Sequence, residues 1–87
     1  MIDVVKEYKA GRRDFTGASL INADFRGADF RGADFRYANF SGADFIGANL
    51  SGANFTGANF TCANLSCADF TGRSYNRQVK LDRTTHP

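Results

Sequence analysis

Residues 18–72 read ASLIN-ADFRG-ADFRG-ADFRY-ANFSG-ADFIG-ANLSG-ANFTG-ANFTC-ANLSC-ADFTG, a run of five-residue units without interruption. One more unit, residues 13–17, precedes them with the same spacing of Phe and Gly. All nine phenylalanines of the chain lie at the third position of a unit, and Leu takes that position in the remaining units. A fixed internal period is typical of an architecture in which identical units stack on one another.

A period of five residues fits neither a helix nor a flat strand. Five residues turn a helix by about 500°, which scatters successive Phe side chains around its axis. In a flat strand side chains alternate faces with period two, and five is odd. A short extended segment and a turn in each unit do fit, because Ala28 and Phe30 then share the inner face and Gly32 supplies the turn. Since Tyr37 and two Cys residues replace Gly at this corner position, the sequence predicts that a positive φ is not required at every corner.

The units resemble the consensus of the pentapeptide repeat proteins, A-[D/N]-[L/F]-x-x. Residues 48–52 (ANLSG) and 58–62 (ANFTC) fit it without correction, and the resemblance covers about residues 13–72. It implies an all-β fold, a right-handed quadrilateral parallel β-helix with four units per coil. Residues twenty apart then stack in columns, and the repeat makes about three coils. The segment from Tyr8 to Phe15 is similar to leaders found before such repeats in cyanobacterial proteins, which suggests a small cyanobacterial member.

Three segments follow from this interpretation: an N-terminal cap at residues 1–12, the β-helix at 13–72, and a degenerate repeat with a tail at 73–87. A solenoid exposes apolar rings and unpaired strand edges at its ends and therefore needs caps. Residues 3–10 are predicted to form a short helix with Asp3 as its N-cap. Its apolar face, which we expect to cover Phe15 and the first coil, consists of Val4, Val5 and Tyr8.

The C-terminal end departs from the repeat. Arg73 replaces the expected Ala, and the tail has few apolar residues to anchor it. We therefore expect the regular coil to end here, and a weakly capped last coil predicts end-to-end association of two copies. Residues that break the outer pattern are the candidates for an interaction surface: Tyr37, Arg73, Tyr75, Val79 and Leu81.

The sequence contains no recognisable set of catalytic, cofactor-binding or metal-ligating residues. The Asp and Asn before each Phe belong to the repeat and occur on every side, so solvated or turn-bonding side chains explain them better than an acid–base pair. Arg26, Arg31 and Arg36 are five residues apart and fall on three successive sides, which argues against nucleic acid binding because phosphates require several cations on one surface. The net charge is +2, with −3 on residues 14–72.

Cysteine usage and hydropathy bear on location. Cys62 and Cys67 hold the same corner position in adjacent units, on different sides of the predicted coil, so a disulfide between them is not expected. The apolar segment at the start of the sequence is too short and too charged for a signal segment. The sequence also has no run of about 18 apolar residues, which a membrane span would need. We therefore expect a cytoplasmic protein.

The leading functional hypothesis is a non-enzymatic structural or protein-interaction module, a rigid β-prism that presents its faces or ends to a protein partner. The alternative comes from the resemblance: some pentapeptide repeat proteins mimic DNA and modulate a type II topoisomerase. Those members are long and strongly acidic, whereas this chain predicts about three coils and a basic tail.

Overall fold

The computed structural model describes residues 3–70. They form one short helix followed by a coiled chain, and isolated β-bridges join its successive coils. Helix α1 spans Val4–Lys9. Asp3 is its N-cap, and the carboxylate of Asp3 accepts a 3.1 Å hydrogen bond from the backbone N–H of Lys6. Ala10 is the C-cap of the helix, and Gly11 follows with φ +105°.

Parallel bridges join residues twenty positions apart, so four units complete one coil. We name the four sides of the coil A to D in chain order. The bridged columns are Asp14, Asp34 and Asn54 on side A; Ser19, Asn39 and Asn59 on side B; Asp24, Asp44 and Asn64 on side C; and Asp29, Asn49 and Asp69 on side D. The fold is a quadrilateral parallel β-helix.

Each bridge is held by backbone hydrogen bonds on both sides of the bridged residue. Phe35 N–H donates to the carbonyl of Asn54 at 2.8 Å, and Asn54 N–H donates to the carbonyl of Ala33 at 3.0 Å. Within each unit the turn closes by a second kind of bond, as from Ala38 N–H to the Phe35 carbonyl at 3.1 Å. The backbone of one coil is thus satisfied by the coils next to it, which is what a stacked solenoid requires.

The interior is a column of aromatic rings. Phe35 stacks on Phe55 with centroids 5.7 Å apart and an interplanar angle of 8°, and Phe40 stacks on Phe60 at 5.2 Å and 10°. Rings of adjacent sides meet edge to face, as Phe35 and Phe40 do at 5.0 Å and 77°. Both arrangements suit the quadrupoles of the rings. The alanines from Ala33 to Ala63 are buried, because a second bulky side chain per side would not fit.

We call the Phe or Leu at the third position of each unit the tooth residue, and the side chain before it stabilises the corner that follows. The Oδ1 of Asn54 accepts the Thr56 N–H at 3.0 Å and the Thr56 hydroxyl at 2.8 Å, a local turn bond that Asn and Asp form readily. Ser19 makes no such bond in the described structure. The side chains that accept the N–H two residues later are Asp14, Asp24, Asp29, Asp34, Asn39, Asp44, Asn49, Asn54, Asn59 and Asn64.

The prediction about corner conformation is wrong. The four non-glycine corner residues all have positive φ, between 59° and 62°, and they are Asn22, Tyr37, Cys62 and Cys67. The strain of a left-handed residue is about 1–2 kcal/mol, and it is outweighed because the bonded bridges on both sides leave the corner only one path. The side chain of Asn22 overhangs Gly42, and that of Tyr37 overhangs Gly57.

Helix α1 packs on side D of the first coil. The ring of Tyr8 meets Phe30 edge to face at 5.6 Å, and the Tyr8 hydroxyl donates to the Arg31 carbonyl at 2.6 Å. Val4 is buried in the same core cluster as Phe15, with Val5 and Tyr8 packed against that cluster, and the guanidinium of Arg12 lies over the Phe15 ring at 4.8 Å.

Candidate interaction surface

Tyr37 lies on the corner between sides A and B of the coil. Its backbone N–H donates to the Thr56 carbonyl at 2.9 Å, and its side chain is 61% exposed. The ring occupies the space that a Cβ on Gly57 would need, so it lies beside that corner of the next coil. An exposed aromatic ring on a backbone fixed by the ladder is a good contact residue, because little conformational entropy is lost when a partner covers it.

The exposed aliphatic side chains lie apart from Tyr37. Ile21 is on the corner between sides B and C, and Ile46 is on the corner between sides C and D, with 43% and 39% exposed. Three exposed apolar residues on three different corners do not form one contiguous patch. Any partner of Tyr37 therefore meets mainly polar neighbours.

Three arginines are clamped onto the carboxylates two residues before them. Arg26 donates through Nε and Nη2 to the two carboxylate oxygens of Asp24, both at 2.9 Å. The same arrangement joins Arg31 to Asp29 and Arg36 to Asp34. These pairs lie on three successive corners, so the arginines form a ring of neutralised charges and no basic patch.

The clamps also shift the titration of the carboxylates. Hydrogen bonds from the Arg26 and Arg31 side chains lower the pKa of Asp24 and Asp29 below 3.8, and the Arg36 side chain does the same to the pKa of Asp34. The pKa of Asp14 is also lowered, chiefly by the hydrogen bond from the backbone N–H of Thr16. All four groups stay ionised at neutral pH, as turn-bonding carboxylates should.

The described residues hold no obvious reactive centre. No group of three or more His, Cys, Asp and Glu side chains between residues 3 and 70 could hold a metal ion. No helix in the same range is long and apolar enough to cross a membrane. Cys62 and Cys67 are exposed on different corners, and no disulfide joins them.

A cleft of about 420 Å³ opens between α1 and the edge of side D at the N-terminal end of the coil, which we call the upper edge. We call it the N-terminal groove. Its walls are Val5, Tyr8, Lys9 and Arg13 on one side and the backbone and side chains of residues 27–29 on the other. Sequence reasoning missed the groove, since nothing in the repeat reveals how far a six-residue helix stands off the first coil.

Of the residues chosen from the sequence, only Tyr37 can be located. It is exposed on its corner, where its ring is accessible to a partner. Arg73, Tyr75, Val79 and Leu81 lie outside the described residues.

Comparisons with known proteins agree with this architecture. The sequence profile described as "Pentapeptide repeats" matches residues 14–52 and 38–72, with 8 copies. Among solved structures, the pentapeptide repeat protein Rfr23 from the cyanobacterium Cyanothece 51142 is similar with a TM-score of 0.75 and 27% identity, over 84% of this chain and 52% of Rfr23. The chain thus spans about half the length of Rfr23.

Two further solved structures are similar in sequence. The pentapeptide repeat protein alr5209 from Nostoc Pcc 7120 is 33% identical over 99% of this chain and 84% of its own, with a TM-score of 0.39. QnrB1, a plasmid-mediated fluoroquinolone resistance protein, is 25% identical over 80% of this chain and 38% of its own, with a TM-score of 0.47. No curated protein matches the chain.

Proposed function

The chain belongs to the pentapeptide repeat family and has its right-handed quadrilateral β-helix, and on that premise we propose that it is a non-enzymatic protein-interaction module. The prism is a rigid support, and its outward side chains bind a protein partner. Its interior is filled by the tooth residues and alanines, which leaves no enclosed site for a substrate among the described residues.

The observation that carries this proposal is the exposed ring of Tyr37 on a fixed corner. The corner is held by the bond from Tyr37 N–H to the Thr56 carbonyl, so the backbone that carries the ring is fixed in the free protein. Tyrosine is one of the residues that are enriched among the few side chains that carry most of the binding energy at interfaces. The neighbouring Arg36 is engaged by Asp34 and adds a polar rim of no net charge.

The proposal includes the organisation of the whole chain. We propose about three coils over residues 13–72, a cap formed by residues 1–12 with α1, and a tail at 73–87. Tyr8 and Arg12 support the capping role, since both cover rings of the first coil. The tail contributes Arg73, Tyr75, Val79 and Leu81 to the same interaction function.

We also propose that the last coil associates end to end with a second copy. Phe70, the last tooth residue, is only half-buried, whereas Phe35, Phe40 and Phe55 are fully buried. Size-exclusion chromatography with light scattering tests this, and a monomer near 9.5 kDa at millimolar concentration contradicts it.

A cytoplasmic location is consistent with two exposed thiols.

The experiment that tests the interaction role compares two variants in a pull-down from native lysate. Tyr37→Asn removes the ring but keeps a residue that tolerates the left-handed corner, as Asn22 does. Ile46→Ser, the matched control, removes an exposed apolar side chain from a different corner. We expect a protein captured by the wild type to be lost with Tyr37→Asn and retained with Ile46→Ser. Retention by both variants overturns the role of Tyr37.

The topoisomerase alternative is not favoured by the surface. A DNA mimic needs regularly spaced carboxylates that are free to meet cations, and here Asp24, Asp29 and Asp34 each hold an arginine. A supercoiling assay with DNA gyrase should therefore show no inhibition at high micromolar protein. Inhibition that survives Tyr37→Asn would reinstate this alternative.

A further inference from the structure

The upper edge of side D has backbone groups that the coil leaves unpaired. One coil below, Asn49 N–H donates to the Ala28 carbonyl at 2.8 Å, and the Asn49 carbonyl accepts from Phe30 N–H at 2.8 Å. Asp29 is the equivalent residue of the first coil and has no coil above it. Its N–H and carbonyl make no hydrogen bond within residues 3–70, although the ladder directs both groups upward.

This edge is one wall of the N-terminal groove, and α1 is the other. Tyr8 closes one end, because its hydroxyl is bonded to the Arg31 carbonyl. Val5 and Ala28 are half-buried and give the two walls of the groove apolar surface. Its volume of about 420 Å³ is within the range of roughly 300–1,000 Å³ that is usual for binding clefts.

The groove also carries two cations whose nearest carboxylates are already engaged. Lys9 makes no ion pair or hydrogen bond with any described residue. Arg13 stacks on Tyr8 at 3.7 Å and donates through Nη1 to the carbonyls of Tyr8 and Arg12, which leaves its other nitrogens without an acceptor in the same range. Glu7 is paired with Arg12 at 3.5 Å, and Asp29 with Arg31 at 2.9 Å.

We propose that the N-terminal groove binds an extended acidic peptide segment of a partner protein, which pairs with the backbone of Asp29 as a β-strand and places a carboxylate between Lys9 and Arg13. This rests on the proposed interaction function and names one site for it. The peptide's carbonyl and N–H satisfy the two free groups of Asp29, as in other proteins that add a strand to an open edge. Its apolar side chains contact Val5 and Ala28.

The test uses the whole chain and a short fluorescein-labelled peptide of alternating valine and glutamate. The same peptide with lysine in place of glutamate is the charge control. Binding is followed by fluorescence anisotropy, and amide hydrogen exchange is measured for Asp29 by NMR. We expect the acidic peptide to bind and to slow exchange at Asp29 by at least about tenfold, because an unpaired amide becomes hydrogen-bonded.

Two lysine variants separate the groove from the general charge of α1. Lys9→Glu should lower the affinity for the acidic peptide about tenfold, since it reverses a charge in the groove. Lys6→Glu reverses an equally exposed charge on the same helix outside the groove, and it should change affinity by less than about twofold. Circular dichroism checks that both variants keep the wild-type spectrum.

Four results overturn the proposal: no binding of the acidic peptide, equal binding of the lysine peptide, equal loss in the two lysine variants, or unchanged exchange at Asp29. Tighter binding of a single-stranded oligonucleotide than of the peptide would also overturn it. Tyr37→Asn should leave peptide binding unchanged. If the peptide fails to bind while Tyr37-dependent capture persists, the groove alone is refuted and the interaction module stands.

Discussion

Replacing Gly57 by Ala should be more costly than replacing Gly47, although both glycines are corners with nearly the same φ, +70° and +69°. A Cβ added at Gly47 meets nothing within 4 Å. Its cost is the left-handed strain alone, about 1–2 kcal/mol in the free energy of unfolding. A Cβ added at Gly57 would overlap Cδ1 and Cε1 of the Tyr37 ring.

The ring must therefore move, and the structure limits how much that costs. Because the ring is 61% exposed, it can turn into solvent, so the backbone can stay in place. An off-rotamer side chain costs about 0.5–1.5 kcal/mol, and we expect Gly57→Ala to cost about 1 kcal/mol more than Gly47→Ala. With a urea m-value of about 1–3 kcal/mol/M, this separates the two unfolding midpoints by about 0.3–1 M.

A double-mutant cycle identifies the ring as the cause. In a Tyr37→Gly background the overlap is gone, so Gly57→Ala should cost the same as Gly47→Ala. Urea unfolding followed by circular dichroism gives all the required free energies, and the expected coupling between the two positions is about 1 kcal/mol. Equal costs for the two alanines in the wild-type background, or a coupling of zero, would refute the packing of Tyr37 on Gly57.

Three other outcomes can be checked with the same unfolding assay. The clamped carboxylates have lowered pKa values in the folded state, so their contribution to stability is present above pH 3.8. This contribution should be lost as the pH falls through the pKa values of the folded state. Arg26→Gln removes the clamp on Asp24 and should therefore weaken the dependence of stability on pH. Asn59→Ala removes the acceptor of the Thr61 N–H and hydroxyl and should cost about 1–2 kcal/mol, whereas Ser19→Ala, where no such bond exists, should cost less than about 0.5 kcal/mol. Phe40→Ala leaves a cavity among stacked rings and should cost about 3–5 kcal/mol, a large fraction of the roughly 5–15 kcal/mol that stabilises a typical domain.

The interior was predictable from the sequence because the period constrains it so strongly. Phe and Ala two residues apart must share a face, and the resemblance to a known family supplied four units per coil. Stacking of Phe35 on Phe55 follows from those two facts. Turn-bonding was also among the interpretations of the Asp residues before each Phe, and the structure shows the same local bond for Asn54.

The corners and the N-terminal end could not be predicted in the same way. Tyr37 was expected to avoid positive φ on the basis of its own preference, but the bonded bridges before and after it decide its conformation. The groove depends on where α1 rests, and that position is set by single contacts such as the Tyr8 hydroxyl on the Arg31 carbonyl. A local pattern contains no information about such contacts.

The overhang of corner side chains has a consequence for how this surface can vary. A side chain at one corner lies over the same corner of the next coil, as Tyr37 does over Gly57 and Asn22 over Gly42. A long side chain at one corner therefore excludes a side chain at the same corner of the following coil, whereas Gly17, in the coil before Tyr37, has room for a Cβ. With coils about 4.8 Å apart, two long side chains in one corner column can be no closer than about 10 Å. A designer who grafts a binding motif onto this prism has to alternate side chains with glycine along each edge, or place the motif across different edges.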